Sequence, residues 1–330
     1  MKIAFLTEMG FEGKIPSNHS NMRTEFAWMH ALDADHRHIY HYKEVRDYDH
    51  VFIIFPKGKV FLTAEGTRVG NDYNPTSGLL RLEIASKLKD KNRFVHYVQE
   101  GPHWWYNDYE IPDQIYFYNL LTQCDSIFAH NESDSLYYRG LLPGKPVNVL
   151  PSLMIEESIK DITPVKQEKA IIGGNFARWY GGFESYMVAS TFSVQIWAQT
   201  SHAMRVGEDS VDGIQHLPRL MWTDWMKALS EFRYAVHLMP TVAAGTFSLN
   251  CAYFGIPCIG NIQVDTQRIC HPELSVDVHD IEKARELAIR LKTDSSFYEY
   301  CSLTAKQNYR KHYDLGDWKK QMISMLNETE

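Results

Sequence analysis

Residues 170–183, AIIGGNFARWYGGF, decide the fold. Ala170, Ile171 and Ile172 read as the end of a buried strand, and Gly173 and Gly174 follow at once. Asn175 comes next, and a helix is expected to start between Tyr180 and Glu184. A strand, a glycine turn and a helix bring bare backbone N–H groups close to an anion. Glycine lacks a Cβ, so a phosphate can approach the backbone there. Arg178 is near enough in sequence to supply a charged fork to a diphosphate. An ordinary strand-to-helix turn accounts for this stretch equally well, because glycine-rich turns are common in α/β folds.

A second stretch about 70 residues on shifts the balance. TVAAGTFSLNCAYFGIPCIGN, residues 241–261, reads as a strand end, a small-residue loop, a helix from about Thr246, and a strand IPCIGN. Thr246 or Ser248 is the expected cap of that helix, with Phe247 between them, which leaves free N–H groups aimed at a ligand. If the two preceding strands are neighbours, both helix N-termini converge on one diphosphate.

The remaining composition bounds the class. A chain of 330 residues exceeds the usual domain, so two domains are expected. Its 44% hydrophobic content is that of a globular protein. The formal net charge of −7 weighs against a protein that coats nucleic acid, where many Lys and Arg are needed. Five cysteines form no CxxC pair and no metal-like cluster, so reduced thiols in a cytoplasm are expected and no metal is. No apolar run approaches the roughly 18 residues of a membrane span. MKIAFLTEMG lacks the long apolar region of a signal peptide and reads as a first strand.

The N-terminal half alternates strands and helices. KIAFLT (2–7) opens into a loop containing Gly10 and Phe11, and a helix is expected over 17–34. HIYHY (38–42), YDHVFIIF (48–55) and RFVHYVQE (93–100) read as strands, with a helix over 78–90. Glu100 thus stands at a strand's carboxyl end, where open α/β sheets place their sites. The loop GPHWWYNDY follows, with His103, Trp104 and Trp105. These aromatics fit either a cap on the core or an acceptor platform beside a carboxylate base. A helix over 111–124, a strand over 125–131 and a short helix over 133–142 lead to a proline-rich stretch at 143–153. That stretch sets the expected boundary: a first domain at 1–152, a second at 153–315, and a last helix at 316–330 crossing back to the first.

In the second half, 192–199 reads as a strand, 202–218 as a loop, 219–232 as a helix with a buried Trp stripe, and 233–240 as a strand. Amphipathic helices are expected over 280–294 and 295–314.

Together these segments resemble the GT-B glycosyltransferases, whose fold is two Rossmann-like domains facing across a cleft. IIGGNFARWYGGF is similar to the family's strand-turn segment with a basic residue near the donor phosphates. GTFSLNCAYFGIPCIGN is similar to the segment of its nucleotide-sugar site. The family has a glutamate there that grips the donor ribose, and Asn250 stands in its place. Within the family, the phage DNA glycosyltransferases that modify 5-hydroxymethylcytosine are most similar in size and N-terminal layout. The resemblance implies a UDP-sugar donor with no tightly bound cofactor. Glu100 would be the catalytic base. Gly173, Gly174, Asn175, Arg178, Thr246, Phe247, Ser248 and Asn250 would bind the donor. Gly10, Phe11, His103, Trp104 and Trp105 would bind the acceptor, and Glu25 lies where such enzymes carry a further acid. The implied acceptor is double-stranded DNA, and the implied setting a monomer in the cytoplasm, that of the host if phage-encoded. A surface-glycan or lipid-linked acceptor stays open, as does a non-catalytic sugar- or nucleotide-binding protein.

Overall fold

The structure is a computed structural model. It describes residues 1–7, 12–19, 22, 24–54, 62–63, 66–69, 72–74, 88, 93–98, 101, 111–174, 176, 180–199, 211 and 213–328. These group into two compact units. The first comprises residues 1–15, 28–150 and 318–330, and the second residues 16–27 and 151–317.

The chain begins with β1 (Ile3–Thr7), β2 (Gly13–Lys14), α1 (Thr24–Ala31), β3 (Asp35–His38) and β4 (His50–Ile54). Three short strands follow, β5 (Leu62–Thr63), β6 (Gly66–Val69) and β7 (Asp72–Asn74), paired antiparallel as a separate small sheet. Next come β8 (Phe94–Val98), α2 (Ile111–Gln123), β9 (Ser126–Ala129), α3 (Glu132–Leu141) and β10 (Val147–Val149). The main sheet of this unit runs β10-β9-β8-β4-β1-β3-β2. Every pairing in it is parallel except that of β2 with β3. Strands buried on both faces read as unbroken apolar runs, which is why KIAFLT and VFII were legible. One face packs Leu6, Val51 and Tyr97 against Phe117 and Leu120. On the other, Phe5 stacks on Phe52 at 4.6 Å.

The second unit is built from β11 (Gln167–Ile172), α4 (Gly182–Ala189), β12 (Gln195–Gln199), β13 (Ile214–Leu217), α5 (Trp222–Leu229), β14 (Phe232–His237), α6 (Thr246–Phe254), β15 (Cys258–Asn261), α7 (Asp265–Cys270), β16 (Ser275–Val276), α8 (Ile281–Thr293) and α9 (Ser295–His312). A last helix, α10 (Leu315–Asn327), passes into the first unit at residue 318. There Trp318 lies 5.7 Å from Trp28. The second sheet is wholly parallel, in the order β13-β12-β11-β14-β15-β16. Ile172, Val236 and Ile259 form its core with Val188, Ala288 and Leu291. All five cysteines are buried and none is in a disulfide.

Several sequence expectations are corrected. Residues 39–45 form a 3-10 helix rather than a strand, and the strand lies earlier, at β3. The first helix is shorter than 17–34, because residues 16–19 form a turn, with His19 N–H donating to Pro16 O. The segment 202–218, read as loop, contains β13. The helix expected over 78–90 falls outside the described residues except at Leu88. Among the described residues no helix is long and apolar enough to cross a membrane.

Candidate functional site

In the second sheet β11 comes first in sequence but lies in the middle. The chain adds β12 and β13 on one side, then returns to add β14 and β15 on the other. The carboxyl ends of β11 and β14 therefore flank the point where strand order reverses, which is where open α/β sheets leave a crevice for a ligand.

The exit from β11 is shaped by glycines. Gly173 N–H extends the ladder by donating to Val236 O at 2.8 Å. Gly174 has φ +71°, and Gly181, which precedes α4, has φ +64°. A Cβ on Gly181 would stand 1.7 Å from Leu238 O, so α4 begins as close to the β14 exit as backbone allows. Leu238 N–H in turn donates to Ser185 Oγ of α4 at 2.9 Å.

The exit from β14 is the loop 238–245, and side chains hold its carbonyls inward. Asn261 Nδ2 donates to Met239 O at 2.8 Å, and the Ser152 hydroxyl donates to Ala244 O. Thr266 Oγ1 and Ser248 Oγ both donate to Gly245 O, at 2.8 and 3.0 Å. A trans peptide points its N–H opposite to the preceding C=O. With the Ala244 and Gly245 carbonyls turned inward, the N–H groups of Gly245 and Thr246 face the other way. Val242 is β-branched, fully buried and held at φ +35°, a strained backbone of the kind that gathers at ligand clamps.

The two exits touch. A Cβ on Gly173 would lie 2.6 Å from Phe247 Cδ1 and 2.5 Å from His237 Cγ. His237 is the last residue of β14, and its ring meets that of Phe247 edge-on at 5.2 Å and lies 6.4 Å from that of Tyr180. His237 is 9% exposed, and its buried Nε2 has no hydrogen-bond partner among the described residues. Burial pushes its pKa down to about 4, so the ring is neutral.

The sequence-derived residues fare differently. Gly173 and Phe247 come into contact, Gly174 packs against Tyr180, and Thr246 opens α6 next to Phe247. Thr246 does not cap α6; the N-cap is Gly245 at φ +76°, and it makes no side-chain cap bond. Ser248 is 3% exposed, and its hydroxyl donates to Gly245 O while lying 2.8 Å from Thr266 Oγ1. Asn250 is also 3% exposed. The amide orientation that satisfies its neighbours has Nδ2 donating to Thr246 O at 2.9 Å and Oδ1 accepting from Trp225 Nε1 at 3.0 Å. Both residues thus brace the first turn of α6. Asn175, Arg178, Glu100, Gly10, Phe11, His103, Trp104 and Trp105 lie outside the described residues. Glu100 falls between the end of β8 and Gly101, whose N–H donates at 3.3 Å to the buried Asp134. Glu25 is buried at the start of α1. The sequence reading missed His237, Asn261 and Thr266. A histidine closing the run Tyr234–Val236 at the end of the strand was the available signal for His237.

Among the described residues no three His, Cys, Asp or Glu side chains are grouped to hold a metal ion.

By sequence, neither a family model nor a curated protein matches the chain. Solved structures do match by fold. An α-glucosyltransferase in complex with UDP and a 13-mer DNA containing an HMU base is 12% identical, with a TM-score of 0.63 and 99% of both chains covered. The Anabaena HepE protein in complex with UDP and glucose is 9% identical, with a TM-score of 0.69 over 99% of both chains. A sucrose-phosphate synthase from Thermosynechococcus elongatus is 10% identical, with a TM-score of 0.67 over 99% of both. The fold is of the GT-B type, built on two parallel Rossmann-like sheets.

Proposed function

We propose that the protein is a glycosyltransferase that moves a sugar from UDP-sugar to an acceptor hydroxyl. One observation carries this reading: the glycine turn after β11 and the first turn of α6 touch, at Gly173 and Phe247, where the strand order reverses. Helix N-termini and outward N–H groups suit a diphosphate. They stabilise the charge that builds on the leaving group and cost no reorganisation during reaction. UDP in two of the full-length fold neighbours supports the choice of nucleotide.

In this reading the backbone at Gly173, Gly174, Gly245 and Thr246 cradles the diphosphate. Arg178 and Asn175 add polar contacts from the connection to α4. Asn250 and Ser248 hold the first turn of α6 in place. Glu100 takes the proton of the acceptor hydroxyl if transfer inverts the anomeric centre, and Trp104 and Trp105 stack on the acceptor.

The acceptor proposed first is 5-hydroxymethylcytosine in duplex DNA, supported by the DNA in one full-length neighbour. A glycan or lipid-linked acceptor is the second reading, favoured by the net charge of −7. Titration calorimetry with UDP tests the donor site; absence of binding removes it. Incubation of UDP-sugars with hydroxymethylated DNA and with glycan acceptors then separates the two acceptor classes.

A further inference from the structure

We propose that His237 is a specific contact of the donor site, whose imidazole donates a hydrogen bond from Nε2 to a diphosphate oxygen of the nucleotide-sugar. The proposal rests on the donor reading above and adds a residue to it.

Position supports it first. His237 closes β14, and its ring is lodged between Gly173 at the exit of β11 and Phe247 in the first turn of α6. It thus sits at the junction of the two elements that carry the diphosphate cradle. Packing supports it next. Gly173 has no room for a Cβ, because the ring occupies that space. The glycine and the histidine therefore fit each other as a pair.

Chemistry supplies the reason for a histidine. A buried polar atom without a partner destabilises the fold that leaves it so. Among the described residues, Nε2 of His237 is such an atom. The apolar positions before it in β14, Tyr234, Ala235 and Val236, are filled without any such cost. A phenylalanine at 237 would serve packing equally well, without an unpaired nitrogen. The imidazole is thus a liability to the ligand-free fold that a bound anion removes. Cost to the fold in exchange for a ligand contact is the pattern expected of a binding residue.

The test measures two quantities on the same variants, UDP affinity by calorimetry and the melting temperature of the ligand-free protein. His237→Phe keeps the ring and removes the nitrogen. It should weaken UDP binding about ten- to hundredfold, the range for a hydrogen bond to a charged group. Its ligand-free melting temperature should equal or exceed that of the wild type. His237→Gln restores a donor and should recover part of the affinity. A His237→Phe protein that binds UDP within twofold of wild type overturns the proposal. So does a variant whose affinity loss comes with a lowered ligand-free melting temperature, because that marks a structural role. If His237→Phe does not fold, wild-type-like UDP affinity in an equally stable His237→Leu variant is the overturning result, and a weakened one supports the contact. A wild type that binds no UDP sinks the donor reading itself, and is thereby distinguished from failure of this contact alone.

Discussion

Asn18 Oδ1 accepts both the backbone N–H and the hydroxyl of Thr223, each at 2.8 Å, across 205 residues of sequence. Met221, the N-cap of α5, makes no side-chain cap bond, so a distant asparagine does that work. Losing a helix cap costs about 1 kcal/mol. Asn18→Ala should lower the urea midpoint accordingly, read by fluorescence from Trp222 and Trp225 at the start of α5. An unchanged midpoint would show that the cap contributes nothing.

Gly245 and Gly213 make a controlled pair. Both have left-handed backbones, φ +76° and +86°. A Cβ on Gly245 would stand 1.9 Å from Thr266 Oγ1, whereas one on Gly213 meets nothing within 4 Å among the described residues. Gly213→Ala should cost about 1–2 kcal/mol for the backbone alone. Gly245→Ala adds overpacking of about 1–3 kcal/mol and should also abolish UDP binding. Equal losses in the two variants would show that the Thr266 contact relaxes freely.

Kinetics addresses the residues outside the described set. Glu100→Gln should lower turnover about 10²–10⁴-fold with UDP affinity kept. Turnover like that of wild type removes Glu100 from the chemistry. Arg178→Ala should weaken UDP binding, and unchanged affinity counts against its phosphate role. Trp104→Ala should raise the acceptor KM and spare hydrolysis of the donor. A loss of folding alone would assign that ring to the core.

Acid should unfold the protein earlier than its carboxylates require. Burial drives the pKa of His237 and His271 down to about 4, and holds His96 well below the usual imidazole range. His96 is enclosed by His50 at 3.0 Å and Ser126 at 2.7 Å, and His271 Nε2 lies 3.0 Å from Ser248 O. These rings are neutral when folded and titrate near 6.5 when unfolded. Between those values the unfolded state binds more protons, so stability is complete above about pH 6.5 and falls as pH drops below it. Each fully buried ring contributes about 1.4 kcal/mol per pH unit within that window. The carboxyls of Glu12 and Asp294, held below their usual range chiefly by hydrogen bonds, act only at lower pH. Denaturation midpoints at pH 7, 6 and 5 should decline, and His237→Phe should flatten the slope. A flat profile from pH 7 to 5 would refute the burial of these rings.

The legible parts of the fold are those where one physical pattern stands alone. Apolar runs ending in glycine gave β11 and β15, and helical periodicity gave α5, α8 and α9. HIYHY failed because its aromatics imitate strand alternation while the backbone turns a 3-10 helix there. β13 was missed because it is an edge strand of four residues, IQHL, two of them polar. In the site, the glycines could be read because a tight turn leaves few alternatives. The role of Asn250 could not, since its partner Trp225 comes from another helix and only the folded chain brings them together.

Neither unit is a contiguous piece of chain. The second takes residues 16–27 from near the start, and the first takes residues 318–330 from the end. During synthesis, the first unit therefore waits, with Trp28 lacking its cover from Trp318, until nearly all of the sequence has left the ribosome. A gene cut between codons 150 and 151 would yield two fragments that each hold a part of the other's fold. Co-expression of the halves, rather than either alone, is the route to soluble material.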